Sequence, residues 1–267
     1  MMTINTLWLG NKLRPLEQLC LLSMQLAGHP VRLWTYGPVD GVPEGIELAP
    51  AADIVKRDQF LIHAATNSPA LGSNVFRYRL MEGEHGIWMD SDVLLLKSVI
   101  PQHDHVYGWE STEAINNAVL LLPRSSPVLT DLLDYVNADN PIPPWYTERQ
   151  IQKWAENNRT VSTAEWGIFG PKALTWFTKK NSLQDIAQPQ SVFYPVPYSK
   201  LHAPFHRDWD ISSMITDDTV ALHLWNNGLR GPSRLRKHNP AGKLVVDEGS
   251  FVERWAKTNL GFRLASE

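Results

Sequence analysis

Asp90 and Asp92, separated by one serine at the end of the apolar run Gly86-Ile87-Trp88-Met89, are the residues of this chain best suited to chemistry. Alternate side chains of an extended segment share a face, so the spacing predicts that the two carboxylates converge while Ser91 points away. Convergent carboxylates repel one another unless a cation lies between them. Oxygen ligands suit a hard ion, Mn²⁺ or Mg²⁺, which keeps positions open for phosphate oxygens and water. The bare pattern is common, and Asp208-Trp209-Asp210 repeats it in polar, turn-like sequence with no strand leading in. Context separates the two: an apolar run ends at Asp90, and Val93-Leu94-Leu95-Leu96 begins immediately after Asp92.

Other side chains fall where such a site needs them. Trp8 ends a first strand and Tyr36 a second, and open α/β sheets offer ligands the carboxyl ends of their strands. Asn74 and Arg77 lie three apart on an expected helix, hence on one face, one turn from the loop that enters the site. His223 is a polar ring on a late apolar strand, with Trp225 two residues on and so on the same face. Cys20, the single cysteine, sits in an apolar helical pattern and reads as a core residue; one thiol builds neither a disulfide nor a cysteine metal site.

The elements that must position these groups follow from periodicity. Residues 3–9 read as a strand, 16–27 as a helix with Leu16, Leu19, Cys20 and Met24 on one face, and 31–36 as a second strand, a β-α-β opening that predicts parallel neighbours. Residues 37–50 read as a Gly/Pro-rich loop. Ser73 reads as the cap of a helix over 74–84, handing over at Gly86 to the aspartate strand. Further strands are expected at 105–109, 119–122, 192–194 and 220–225, and helices at 127–136 and 171–179. The chain of 267 residues reads as one domain with a Trp- and Pro-rich insertion over 137–170.

Composition excludes some partners. With 25 basic and 28 acidic residues the net charge is −3, so no nucleic-acid footprint is expected, and an anionic ligand must be met by local groups. No basic segment precedes an apolar stretch at the N-terminus, and no apolar run approaches spanning length. A cytoplasmic protein of bacterial type is the expectation, with peripheral association to a membrane-bound acceptor compatible with it.

Four blocks, in order, carry a family resemblance: Leu7-Trp8-Leu9-Gly10; Ser73-Asn74-Val75-Phe76-Arg77-Tyr78 leading through His85 to Asp92; Ile115-Asn116-Asn117-Ala118-Val119; and Phe193-Tyr194-Pro195-Val196 with His223-Leu224-Trp225-Asn226. Together they resemble the DXD-containing glycosyltransferases of the Och1-like and α-1,4-galactosyltransferase-like group, distantly related to the clostridial glucosylating toxins. The resemblance implies a GT-A fold, a Rossmann-like mixed α/β sheet flanked by helices. It implies transfer of a hexose from a nucleotide sugar, UDP-linked by default with GDP-mannose as the alternative, to a glycan acceptor, with retention of configuration. It also implies a Mn²⁺ or Mg²⁺ ion on Asp90 and Asp92 with His223 on the metal or diphosphate. Arg77, Asn74 and Asn117 would meet the donor, Trp8 its base, Tyr36 the same pocket, and the Trp225 indole a phosphate.

Two departures stand out: Asn74 replaces the usual aspartate, and Asn227 stands where lysine is common, leaving Arg230 or Arg234 to supply the charge. Trp145, Tyr146, Trp154 and Trp166 offer acceptor platforms, and Glu165 a carboxylate to orient an acceptor hydroxyl or act on the donor. The competing readings are a metal-dependent phosphohydrolase and a sugar-nucleotide-binding module without turnover.

Overall fold

The computed structural model describes residues 2–64, 66–98, 103–156, 159–165, 167–230 and 243–267. Short strands, the central ones buried along nearly their whole length, build a six-stranded mixed sheet in the order β3-β2-β1-β4-β7-β6. These are β1 Ile4–Trp8, β2 Val31–Thr35, β3 Glu47–Pro50, β4 Ile87–Met89, β6 Val106–Trp109 and β7 Ile115–Leu121. β1 to β4 run parallel, while β7 is antiparallel to both β4 and β6. A separate antiparallel ribbon joins β5 Val93–Leu95 to β8 Ala221–His223. The mixed α/β architecture implied by the resemblance is the one observed.

Helices cover the sheet: α1 Pro15–Leu26, α2 Ala70–Glu82, α3 Pro127–Asn137, α4 Glu148–Glu156, α5 Pro171–Lys180, the short α6 Gln190–Phe193 and α7 Asn226–Arg230, and α8 Phe251–Leu260. Two apolar cores form, and β4 feeds both: Ile87 and Met89 pack into one, Trp88 into the other. Burying each such side chain contributes about 2 kcal/mol, so the strand that ends at Asp90 is anchored from both faces. α1 fixes the strand that follows, because Ser23 Oγ accepts the Leu95 N–H at 2.9 Å. Cys20 is fully buried there, and burial pushes its thiol well above the usual range, in keeping with a core residue.

Four expectations need correction. The loop read over 37–50 closes with β3, a strand whose alternation is muted because it is the exposed sheet edge. Ser73 lies inside α2, which starts after Pro69; the proline ring suits a helix entry, and Ser73 instead offers its carbonyl and hydroxyl to Arg77. Residues 192–194 belong to α6 and its end, since a three-residue apolar run carries no period of its own. Finally, Asp90 and Asp92 converge through a turn closed by Val93 N–H to Asp90 C=O at 3.0 Å, not along one extended strand.

Candidate active site

The turn between β4 and β5 presents both aspartates, and the β5–β8 ribbon brings the third group. Its register sets His223 opposite Val93, next to Asp92, and the Leu224 N–H donates to the Asp92 backbone carbonyl at 2.9 Å. One ligand atom each from Asp90, Asp92 and His223 lies within 4.8 Å of the others, and His223 Nε2 is 3.4 Å from Asp92 Oδ1. Ligands about 2.1 Å from one small cation lie at most about 4.2 Å apart, so slight closure suffices. His223 Nδ1 is buried without a hydrogen-bond partner among the described residues, leaving the ring unused bonding capacity. Two carboxylates and an imidazole with capacity to spare fit a divalent cation.

The two carboxylates are held differently. Asp90 Oδ1 accepts the Trp88 indole N–H at 2.7 Å and lies 2.9 Å from an Arg77 nitrogen, whose guanidinium also covers the Trp88 ring at 4.7 Å. Burial pushes the Asp90 carboxyl up, Arg77 opposes this, and the Asp92 charge adds to the rise. Asp92 Oδ2 accepts the Asn226 N–H at 2.8 Å. Burial again acts against the charge, but His223 and the Asn226 N–H outweigh it and hold Asp92 below the usual range. His223 is correspondingly raised: burial disfavours the imidazolium and Asp92 overcomes it.

Arg77 and Asn74 stand behind Asp90. Arg77 also donates to the Asn117 carbonyl, while Asn117 Nδ2 donates to Asn74 Oδ1 at 2.9 Å and to the Tyr78 hydroxyl at 3.1 Å. Asn74, Arg77 and Asn117 are buried, so the α2 face that carries Asn74 and Arg77 is turned inward against β7 and braces the aspartate turn. The Trp225 indole N–H donates to the Val196 carbonyl at 3.0 Å rather than standing free for a phosphate, and its ring lies tilted against His223, the centroids 4.1 Å apart.

Trp8 folds over the next turn, its N–H donating to Lys12 C=O at 3.2 Å. Gly10 permits this, since a Cβ there would meet Trp8 Nε1 at 2.9 Å. Tyr36 borders an open cleft of about 320 Å³ at the carboxyl ends of β2 and β3, with Gly37, Leu48, Ala49 and Pro50, and its hydroxyl donates to Val55 C=O at 2.6 Å. Glu165 pairs with Lys172 at 2.5 Å and interacts with the Tyr146 hydroxyl. Nearby, Trp145 packs with Tyr135, Tyr146 and the exposed Trp176, while Tyr146 also meets the buried Trp154. Arg230 is committed to Asn226 and Glu267. Trp166 and Arg234 lie outside the described residues.

Sequence reasoning passed over three contributors. Trp88 looked like strand core, yet its N–H holds Asp90. Glu110 accepts from Asn116 Nδ2 at 2.5 Å, and its charge helps to raise His223. Glu17 is fully buried on α1 beside Asn226; a lone acid amid Leu16, Leu19 and Cys20 was the signal available for it.

Comparison with known proteins bears on this geometry. Residues 156–248, about a third of the chain and including His223, Trp225 and Asn226, match the model of the alpha 1,4-glycosyltransferase conserved region. No curated protein matches the sequence. Among solved structures the chain is similar to one described as "PaToxG Glycosyltransferase", with a TM-score of 0.44 and 14% sequence identity over 67% of this chain and 68% of that one.

Proposed function

We propose that this chain, whose residues 156–248 match the alpha 1,4-glycosyltransferase conserved region, is a glycosyltransferase that moves a hexose from a UDP-sugar to a glycan acceptor with the help of a divalent cation. The observation that carries the reading is the convergence of Asp90, Asp92 and His223 from two distant parts of the chain onto one point. A cation held there would act as a Lewis acid on the diphosphate leaving group, whose negative charge grows as the glycosidic bond breaks. The imidazole among the ligands favours Mn²⁺ over Mg²⁺, because nitrogen ligands suit transition metals better.

The chain's own residues supply the rest. Arg77 and Trp88 orient Asp90, and the Asn226 N–H orients Asp92, so neither carboxylate must reorganise as charge develops. The nucleoside end of the donor lies against Trp8 and the cleft bordered by Tyr36, at the carboxyl ends of the parallel strands. Asn74 and Asn117 act behind the turn, as braces of Arg77. The acceptor meets the region of Trp145, Tyr146 and Glu165, and transfer retains the anomeric configuration.

The test is release of free nucleoside diphosphate from a panel of UDP- and GDP-sugars with Mn²⁺, Mg²⁺ or EDTA. EDTA-sensitive release from one UDP-sugar is expected; release from GDP-mannose alone would replace the donor. Failure of every donor to turn over or to bind in the presence of Mn²⁺ would sink the reading. With an acceptor in hand, the product's anomeric configuration, read early by NMR, tests retention.

A further inference from the structure

Glu17 is a carboxylate with no exposed surface, on a helix that otherwise buries apolar side chains. Burying a charge is costly, and the packing of α1 on β5 does not call for one. Both of its oxygens are occupied. Oε2 accepts the Arg14 N–H at 3.2 Å, an ordinary helix-entry contact, while Oε1 accepts from Asn226 Nδ2 at 2.7 Å, from 209 residues away. The Asn226 carboxamide is held at its other end too, because its Oδ1 accepts from Arg230 Nε at 2.6 Å, and Arg230 is itself fastened to Glu267.

A carboxamide pinned between a carboxylate and a guanidinium cannot turn, and it fixes the backbone to which it is attached. That backbone is under constraint: Trp225, the residue before, has φ +53°, a region that bulky L residues rarely adopt. The left-handed turn at Trp225 lets His223 and the Asn226 N–H address the same carboxylate from one short segment. The Asn226 N–H takes Asp92 Oδ2 and leaves Oδ1 towards His223.

We propose that Glu17 is a positioning residue of the cation site: through the Asn226 side chain it holds the turn at Trp225, and so keeps Asp92 aimed with Oδ2 bound to the Asn226 N–H and Oδ1 turned to His223, the side on which an ion would be shared. The proposal rests on the cation reading above. Partners one step removed from metal ligands typically change metal affinity about 10- to 100-fold when lost, and that is the effect sought.

The experiment titrates the full chain with Mn²⁺ alone and follows free Mn²⁺ by electron paramagnetic resonance, with far-UV circular dichroism to verify folding. Wild type is compared with Glu17→Leu, Glu17→Gln, Asn226→Ala and Asp92→Ala. Expected are binding by wild type, none by Asp92→Ala, and affinity weakened at least about 10-fold in Glu17→Leu. In Glu17→Gln the amide oxygen still accepts from Asn226, so affinity should stay within about threefold. Asn226→Ala keeps the N–H to Asp92 but removes the pinned side chain, and should resemble Glu17→Leu; it decides the matter if Glu17→Leu does not fold. Wild-type affinity in folded Glu17→Leu or in Asn226→Ala would overturn the role of Glu17 and leave the cation site standing. No binding by wild type would overturn the cation reading and this inference with it.

Discussion

Asp90-Ser91-Asp92 and Asp208-Trp209-Asp210 have the same spacing and opposite surroundings. At the first pair, Asp90 meets Trp88 and Arg77, and Asp92 meets His223 and Asn226. At the second, Asp210 turns back on its own loop, accepting the Ser212 N–H at 2.8 Å, and Trp209 is half exposed. The local bonds to Ser212 hold the Asp210 carboxyl below the usual range. Two carboxylates two residues apart become a site only when other elements oppose them with a third ligand and hold each one still. Asp210 instead takes its hydrogen bond within its own loop.

The largest expected effect breaks this contrast directly. Asp92→Ala should lower nucleotide-sugar turnover about a thousandfold or more, the scale on which loss of groups stabilising transition-state charge acts, while Asp210→Ala should leave it within about twofold. Initial rates of nucleoside diphosphate release measure both, and equal losses would remove the distinction. A smaller effect isolates the bracing. Arg77→Met deprives Asp90 of its cation and leaves the Asn117 carbonyl without this donor. Stability should fall by about 1–3 kcal/mol, less than for a fully buried pair because the Asp90 side chain is 27% exposed. Urea denaturation reads this, and an unchanged midpoint would mean that the brace is dispensable.

The smallest effect concerns the support behind Asp92. Burial raises the Glu17 carboxyl above its ordinary 4.5, with Arg230 opposing. Between that ordinary value and the raised folded value, the unfolded chain has released a proton that the folded chain retains, so stability falls as pH rises through this window. Glu17→Gln removes the titration, while the other carboxylates titrate in both proteins. The melting temperature of the variant relative to wild type should therefore rise from pH 4.5 upward and level off above the folded value. A pH-independent difference would show that the buried carboxyl is not shifted.

Much of the fold was legible because it rests on local period. β1, α1, β2, β4, α3 and α5 lie where apolar runs or helical spacing put them, since the strands are short apolar stretches buried in the sheet and the helices bury one stripe against the cores. β3 and α6 were not legible: an exposed edge strand and a four-residue helix have too few buried positions to leave a pattern. The site divides in the same way. Asp90, Asp92 and His223 could be named from residue type and context, because an ionisable group at the end of, or within, an apolar run is unusual in itself, while Arg77 was singled out by the family resemblance of its block.

Their relations could not be named. That the aspartates meet through a turn, that Arg77 faces Asp90 from the interior, and that the Trp225 indole spends its N–H on Val196 are facts about distant segments. The sequence by itself determined which side chains are chemically able to bind a cation and a diphosphate, and which strands carry them. Only the tertiary structure decided that His223 would stand beside Asp92, by the β5–β8 register, and that Glu17 and Asn226 would join from 209 residues apart. Hydrogen bonds and charges act over a few ångströms of space, while sequence periodicity reports burial of one element at a time.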